Sequence, residues 1–135
     1  MNVYFACSIT GGREYEAVYQ AIARALLADG HKVPTAHLAE SNVMDVETSV
    51  SPQDVYARDV EWIRNCDALI AEVSVPSHGV GYEVGFALSL GKPVLCLYQE
   101  GRRVSKMITG NPDPHLKVTS YTDTAQAIDL IRHFL

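Results

Sequence analysis

Short apolar runs alternate with helical patterns along this chain, and every helical pattern lies between two candidate strands. That arrangement builds a parallel sheet covered by helices on both faces, because each crossover between parallel strands needs a helix long enough to return the chain. Five runs read as strands: Asn2 to Cys7, His31 to Thr35, Ala68 to Val73, Pro93 to Tyr98 and Leu116 to Ser120. The third and fourth are continuously apolar, as expected of strands buried on both sides. Tyr15, Val18, Ile22 and Leu26 recur at helical spacing after the first strand, and Gly30 follows as a C-terminal stop. Ser51, Pro52 and Asp54 supply an N-cap, a first-turn proline and a first-turn acid for a second helix that runs to about Cys66. A third helix is expected from about Gly81 to Leu90, ending at Gly91. A last one follows Thr122 with Ala127, Leu130, Ile131 and Phe134 inward. The stretch from Gln99 to Pro114 is irregular, with one helical turn after Ser105.

At 135 residues the chain reads as one domain, 1–135, long enough to bury roughly 68% of its unfolded surface. The expected fold is α/β, a flavodoxin-like doubly wound five-stranded parallel sheet of order 2-1-3-4-5 with helices on both faces. In such sheets ligands sit outside the carboxyl ends of strands 1 and 3, where the winding reverses. The net charge of −5 has the wrong sign for gripping a nucleic-acid polymer through its phosphates, so an anionic ligand must be small and held locally. No basic leader or long apolar stretch opens the chain, and residence in the cytosol without a membrane span is expected. Thiols stay reduced there, and Cys7, Cys66 and Cys96 sit in or beside apolar runs without metal spacing, which makes them core residues. His31, His78, His115 and His133 show no metal pattern either, so neither metal nor cofactor is expected.

Two loops meet at the predicted crevice. Ser8-Ile9-Thr10-Gly11-Gly12-Arg13 joins a strand to a helix, so its glycines can bring backbone N–H groups close to an anion, with Ser8, Thr10 and Arg13 as further donors. A Gly-Gly pair is also an ordinary turn. Pro76-Ser77-His78-Gly79-Val80-Gly81-Tyr82-Glu83 repeats the design at the second loop. Glu83 would fall in the first turn of the third helix, where the macrodipole favours a carboxylate and keeps it ionised, as a carboxylate nucleophile requires. Helix stabilisation alone would also explain it. Asp59 interrupts the stripe formed by Val55, Trp62 and Cys66, and apolar surroundings raise a carboxyl pKa until it can serve as a general acid. The competing explanation is a buried aspartate capping a loop. Glu61 lines up with Asp54, Arg58 and Asn65 on the polar face and reads as solvated; Tyr19, Tyr56 and Tyr98 read as packing residues.

One ionised and one protonated carboxyl converging on a site is the arrangement of retaining glycosidic cleavage, with the groups roughly 5 to 5.5 Å apart. Glu83 would attack the anomeric carbon while Asp59 protonates the departing group, and a substrate phosphate suits the Ser and Gly donors better than a neutral sugar does.

The residues resemble the 2′-deoxynucleoside 5′-phosphate N-hydrolases within the nucleoside 2-deoxyribosyltransferase superfamily. The likeness rests on Tyr4-Phe5 with Ser8-Ile9 and Gly11-Gly12-Arg13, and on Asp59-Val60-Glu61-Trp62. It continues through Ala71-Glu72-Val73, Gly79-Val80-Gly81-Tyr82-Glu83 and Arg103-Val104-Ser105-Lys106-Met107-Ile108. The resemblance implies Glu83 as nucleophile, Asp59 as acid/base and Tyr4 as the hydroxyl that orients Glu83. It implies Ser8, Gly12, Arg13, Ser77 and Gly79 around the 5′-phosphate, with Ile9, Gly11 and Met107 also at the substrate. It further implies a homodimer in which Ser105 reaches the phosphate of the neighbouring subunit. Leu38 to Val50 departs from the pattern and is a candidate for base contact; His37 beside it is either a ligand contact or a structural residue. Three rivals stay open: transfer of the deoxyribosyl group to a second base, cleavage of ribonucleotides, and a module that binds a nucleotide without cutting it.

Overall fold

The computed structural model describes residues 1–10 and 12–135. Its elements in chain order are β1 (Val3–Ala6), α1 (Glu16–Ala28), a 3₁₀ turn (Ala36–Ala39), α2 (Val43–Glu47), α3 (Pro52–Asn65) and β2 (Ala68–Glu72). They continue with α4 (His78–Ser89), β3 (Val94–Gln99), α5 (Lys106–Thr109), β4 (Leu116–Tyr121) and α6 (Thr124–Phe134). All strand pairs are parallel and the order is β1-β2-β3-β4, with Tyr4 opposite Leu69 and Ala71 opposite Cys96.

The sheet therefore has four strands where five were expected. His31 to Thr35 contributes only a parallel bridge between Asn2 and Lys32. Val3 N donates to Lys32 O at 2.8 Å and Lys32 N donates to Met1 O at 2.9 Å. Pro34 then has no N–H to continue a ladder. The next donor, Phe5 N, goes instead to the Thr35 side-chain hydroxyl at 3.0 Å, and the chain turns into the 3₁₀ segment. The segment still lies beside β1, where the fifth strand was expected.

Strand side chains alternate between two buried layers. Val3, Phe5, Ile70, Leu95, Leu97 and Tyr121 face α1 and α6, packing on Tyr19, Ile22, Leu26, Ala127 and Ile131. Tyr4, Ala6, Leu69, Ala71, Val94 and Cys96 face α3 and α4, packing on Ile63, Val84, Ala87 and Leu88. Each large apolar side chain so buried contributes about 1.5–3 kcal/mol relative to exposure. The three cysteines are free and buried, as their apolar surroundings predict. No helix among the described residues is long and apolar enough to cross a membrane.

Two helix starts bear on the site. At α3, Ser51 Oγ accepts from Asp54 N at 3.2 Å with Pro52 in the first turn, as its cap sequence predicts. At α4, Ser77 Oγ accepts from Val80 N at 3.3 Å, so the helix begins at His78, three residues before Gly81. Glycine's propensity cost argues for a later start, but the serine cap and the burial of Val80, Val84, Ala87 and Leu88 outweigh it.

Candidate active site

A cleft of about 520 Å³ opens at the carboxyl ends of β1 and β2, between α3, α4 and the residues around α2. Its lining includes Ile9, Thr10, Glu47, Asp59, Ser77, Gly79 and Glu83, so the two carboxyls singled out by pattern do meet in one place. Tyr4 lies behind Glu83 on β1, fully buried, and its hydroxyl donates to Glu83 Oε1 at 2.8 Å. Burial, followed by the charges of Glu83 and Asp59, pushes the Tyr4 phenol far above its usual range, so it remains a donor.

The ionisation of Glu83 differs from expectation. Because α4 starts at His78, Glu83 sits in the second turn, beyond the first turn where the macrodipole acts strongly. Burial dominates and pushes its carboxyl up to about 7; the Tyr4 hydrogen bond and the charge of Arg58 pull the other way, while Asp59 adds to the rise. Asp59 behaves as its helix position suggested: burial raises its pKa, opposed by Arg58, which donates from Nε to Asp59 Oδ1 at 2.8 Å.

The remaining predicted residues are placed unevenly. Ser77 lies on the wall shared by this cleft and a neighbouring one, which Ser105 and Met107 line from the segment around α5. Ser8 is fully buried and its Oγ has no hydrogen-bond partner among the described residues. Gly12 holds φ at 128°, a backbone region that favours glycine. Gly11 lies outside the described residues.

Arg13 is already committed. Its Nε donates to Glu16 Oε1 at 3.3 Å, Nη1 to the carbonyls of Ser8 and Leu38 at 3.0 Å each, and Nη2 to Glu16 Oε1 at 3.1 Å and the Glu40 carbonyl at 2.9 Å. All five guanidinium N–H groups are thereby used. The side chain staples the first loop to residues 38–40. Replacing Arg13 with methionine keeps most of the apolar stem but strands those carbonyls, and should cost about 3 kcal/mol, since the charged partners and buried acceptors are lost together. Urea unfolding followed by circular dichroism checks it; an unchanged midpoint would rule the staple out.

Three other residues at the site lay outside the pattern-based reading. Arg58, read as part of a solvated face, is partly buried over the Trp62 ring at 4.8 Å and bonded to Asp59 and Glu47. Its position next to Asp59 was the available signal. Glu47 lies in the Leu38 to Val50 segment that departs from the family pattern, where no residue was singled out, and it also contacts His37 Nε2 at 3.0 Å. Tyr56, expected to pack inside, is 56% exposed at the cleft and its hydroxyl lies 3.3 Å from that of Tyr82.

Residues 3–126 match the family model described as nucleoside 2-deoxyribosyltransferase. A mouse protein (Mus musculus) named 5-hydroxymethyl-dUMP N-hydrolase is 42% identical over 138 residues, covering 98% of this chain and 79% of that protein. A Methanosarcina mazei protein provisionally named 2′-deoxynucleoside 5′-phosphate N-hydrolase 1 is 40% identical, covering 99% of this chain and 83% of that protein. Among solved structures, the CMP N-glycosidase of Clostridium botulinum superposes with a TM-score of 0.75 at 21% identity, covering 98% of this chain and 99% of that one. That likeness extends the shared fold to a parallel α/β sheet with helices on both sides. The chain belongs to the nucleoside 2-deoxyribosyltransferase family.

Proposed function

We propose that this chain is an N-glycosidase that hydrolyses 2′-deoxynucleoside 5′-monophosphates to free base and 2-deoxyribose 5-phosphate. The observation that carries the reading is Glu83, held by the buried Tyr4 hydroxyl in the same cleft as the partly desolvated Asp59. Tyr4 occupies Glu83 Oε1 and leaves Oε2 for the sugar. Ionised Glu83 attacks C1′, the C1′–N bond breaks, and the proton of Asp59 goes to the departing base, leaving a glycosyl ester on Glu83. Asp59, now ionised, takes a proton from water; the resulting hydroxide attacks C1′ and frees Glu83. Because burial brings Glu83 to about 7, a substantial fraction of it is ionised near neutrality, and burial raises the Asp59 carboxyl in the direction a general acid needs.

The 5′-phosphate is assigned to the start of α4, where Ser77 and Gly79 line the cleft at the helix N-terminus. Gly12 and Ser8 would complete it from the first loop, with Arg13 acting through its charge and its hold on that loop. Names of relatives that specify nucleotide N-hydrolases support the same substrate class. A homodimer is part of this reading, with Ser105 reaching the phosphate of the partner. Exposed Ser105 and the 83% exposed Met107 suit such a reach.

Purified protein incubated separately with deoxynucleoside monophosphates, free deoxynucleosides and ribonucleoside monophosphates, with released base separated by chromatography, tests the proposal. Base is expected from the deoxynucleotides far faster than from either other class. Comparable rates on free deoxynucleosides, with base exchange, would move the chain to the transferases.

A further inference from the structure

Asp59 is not alone at the edge of the cleft. Arg58 turns Nη1 and Nη2 to the two carboxylate oxygens of Glu47 at 3.1 and 3.3 Å and donates to Asp59 Oδ1 from Nε at 2.8 Å. The indole of Trp62 beneath the guanidinium fixes its plane, and His37 Nε2 holds Glu47 from the other side. Glu47 and Asp59 are largely buried, their side chains 11% and 16% exposed, so the one cation they share is weakly screened. A bidentate fork is the strongest pairing a guanidinium offers a carboxylate, and here that fork belongs to Glu47. Among the described residues the Asp59 carboxyl receives a single bond.

We propose that Glu47 is a positioning residue for the cleavage reaction: by holding the fork of Arg58 it keeps Asp59 weakly paired, and so able to carry the proton that the departing base takes. This rests on the reading of Asp59 as general acid given above. Were the fork free to swing onto Asp59, the carboxylate would be stabilised and the acid would be lost to the reaction. Arg58 in turn keeps Asp59 from becoming so weak an acid that it cannot release its proton to the base or later take one from water. The charged and titratable groups facing Asp59 come from several neighbouring elements: Arg58 on its own helix, Glu47 on α2, His37 on the 3₁₀ turn, Glu83 on α4, and Tyr4 on β1. Among them Glu47 and Arg58 act on Asp59 with opposite sign.

The test follows the Asp59 carboxyl through a pH titration by NMR in the full chain with isotope-labelled aspartate, its signal identified by its loss in Asp59→Asn. Glu47→Gln should move the Asp59 pKa down, because a repelling charge goes and the fork is released. Arg58→Gln should move it up. Arg58→Lys, which keeps the charge without the fork, should fall between wild type and Arg58→Gln and serves if either neutral variant folds poorly. A merely structural role would loosen α2, admit water and move the pKa down in both neutral variants. Shifts of the same sign, or none, overturn the proposal while the hydrolase reading stands. Full turnover in Asp59→Asn would instead overturn the acid assignment itself, whatever the shifts.

Discussion

Glutamine at Glu83 is expected to lower kcat on a deoxynucleoside monophosphate by on the order of 10⁴-fold, since removing a nucleophile leaves only binding and the remaining polar groups to act. Its amide can still accept the Tyr4 hydrogen bond, so the fold should survive. The same substitution has a second readout. The Glu83 carboxyl sits near 7 in the folded chain against an ordinary value of 4.5, so the folded state keeps the proton that the unfolded state has already lost. Between those values, stability contributed by this group falls as pH rises, and above about 7 the full cost of burying the charge is present. Glutamine removes that cost, which is on the order of 3 kcal/mol at most for such a shift. Thermal melts should therefore show the variant more stable than wild type at pH 8 and equal to it at pH 4. Wild-type turnover should rise as pH climbs toward 7, because only ionised Glu83 attacks. An active glutamine variant would end the nucleophile assignment, whatever its stability.

Asparagine at Asp59 should cost about 10²–10⁴-fold in kcat on natural bases, the range over which positioned proton transfer contributes. The loss must depend on the leaving group. A deoxyribose phosphate carrying a nitrophenolate at C1′ needs no proton to depart, so its first step should be nearly indifferent to the substitution. Burst kinetics separate that step from hydrolysis of the glycosyl ester, in which Asp59 acts as base for both substrates. An equal loss in the first step for both leaving groups would mean that Asp59 does not protonate the base, and the acid would have to be sought elsewhere in the cleft. The protein must remain folded for either comparison. Among the described residues the Asp59 side chain is bonded only to Arg58, and the amide of the asparagine variant can still present an oxygen to that guanidinium.

The layered α/β plan was legible because it is written in local periodicity: the stripe of Tyr15, Val18, Ile22 and Leu26, the Ser51-Pro52 start of α3, and the apolar runs of β2 and β3 each report their own burial. Even the missing strand had a local cause in Pro34, whose absent donor weighs more than the apolar character of the segment. The convergence of Asp59 and Glu83 followed from topology, since loops and helix starts at the carboxyl ends of neighbouring strands share one crevice.

What the chain determined by itself was which residues alternate, where helices can start, and which carboxyl interrupts an apolar stripe. Tertiary structure alone decided the charges. Glu83 was expected to be held ionised by a helix end, but the cap at Ser77 moved that end away and burial raised its pKa against the pull of the Tyr4 hydrogen bond. Arg13 and Arg58 have the same side chain, yet one is spent on carbonyls of a neighbouring loop and the other is shared by Glu47 and Asp59 from different helices. No spacing rule reaches such pairings, because ionisation depends on the dielectric and the partners that surround a group in space, and those come from segments remote in the chain.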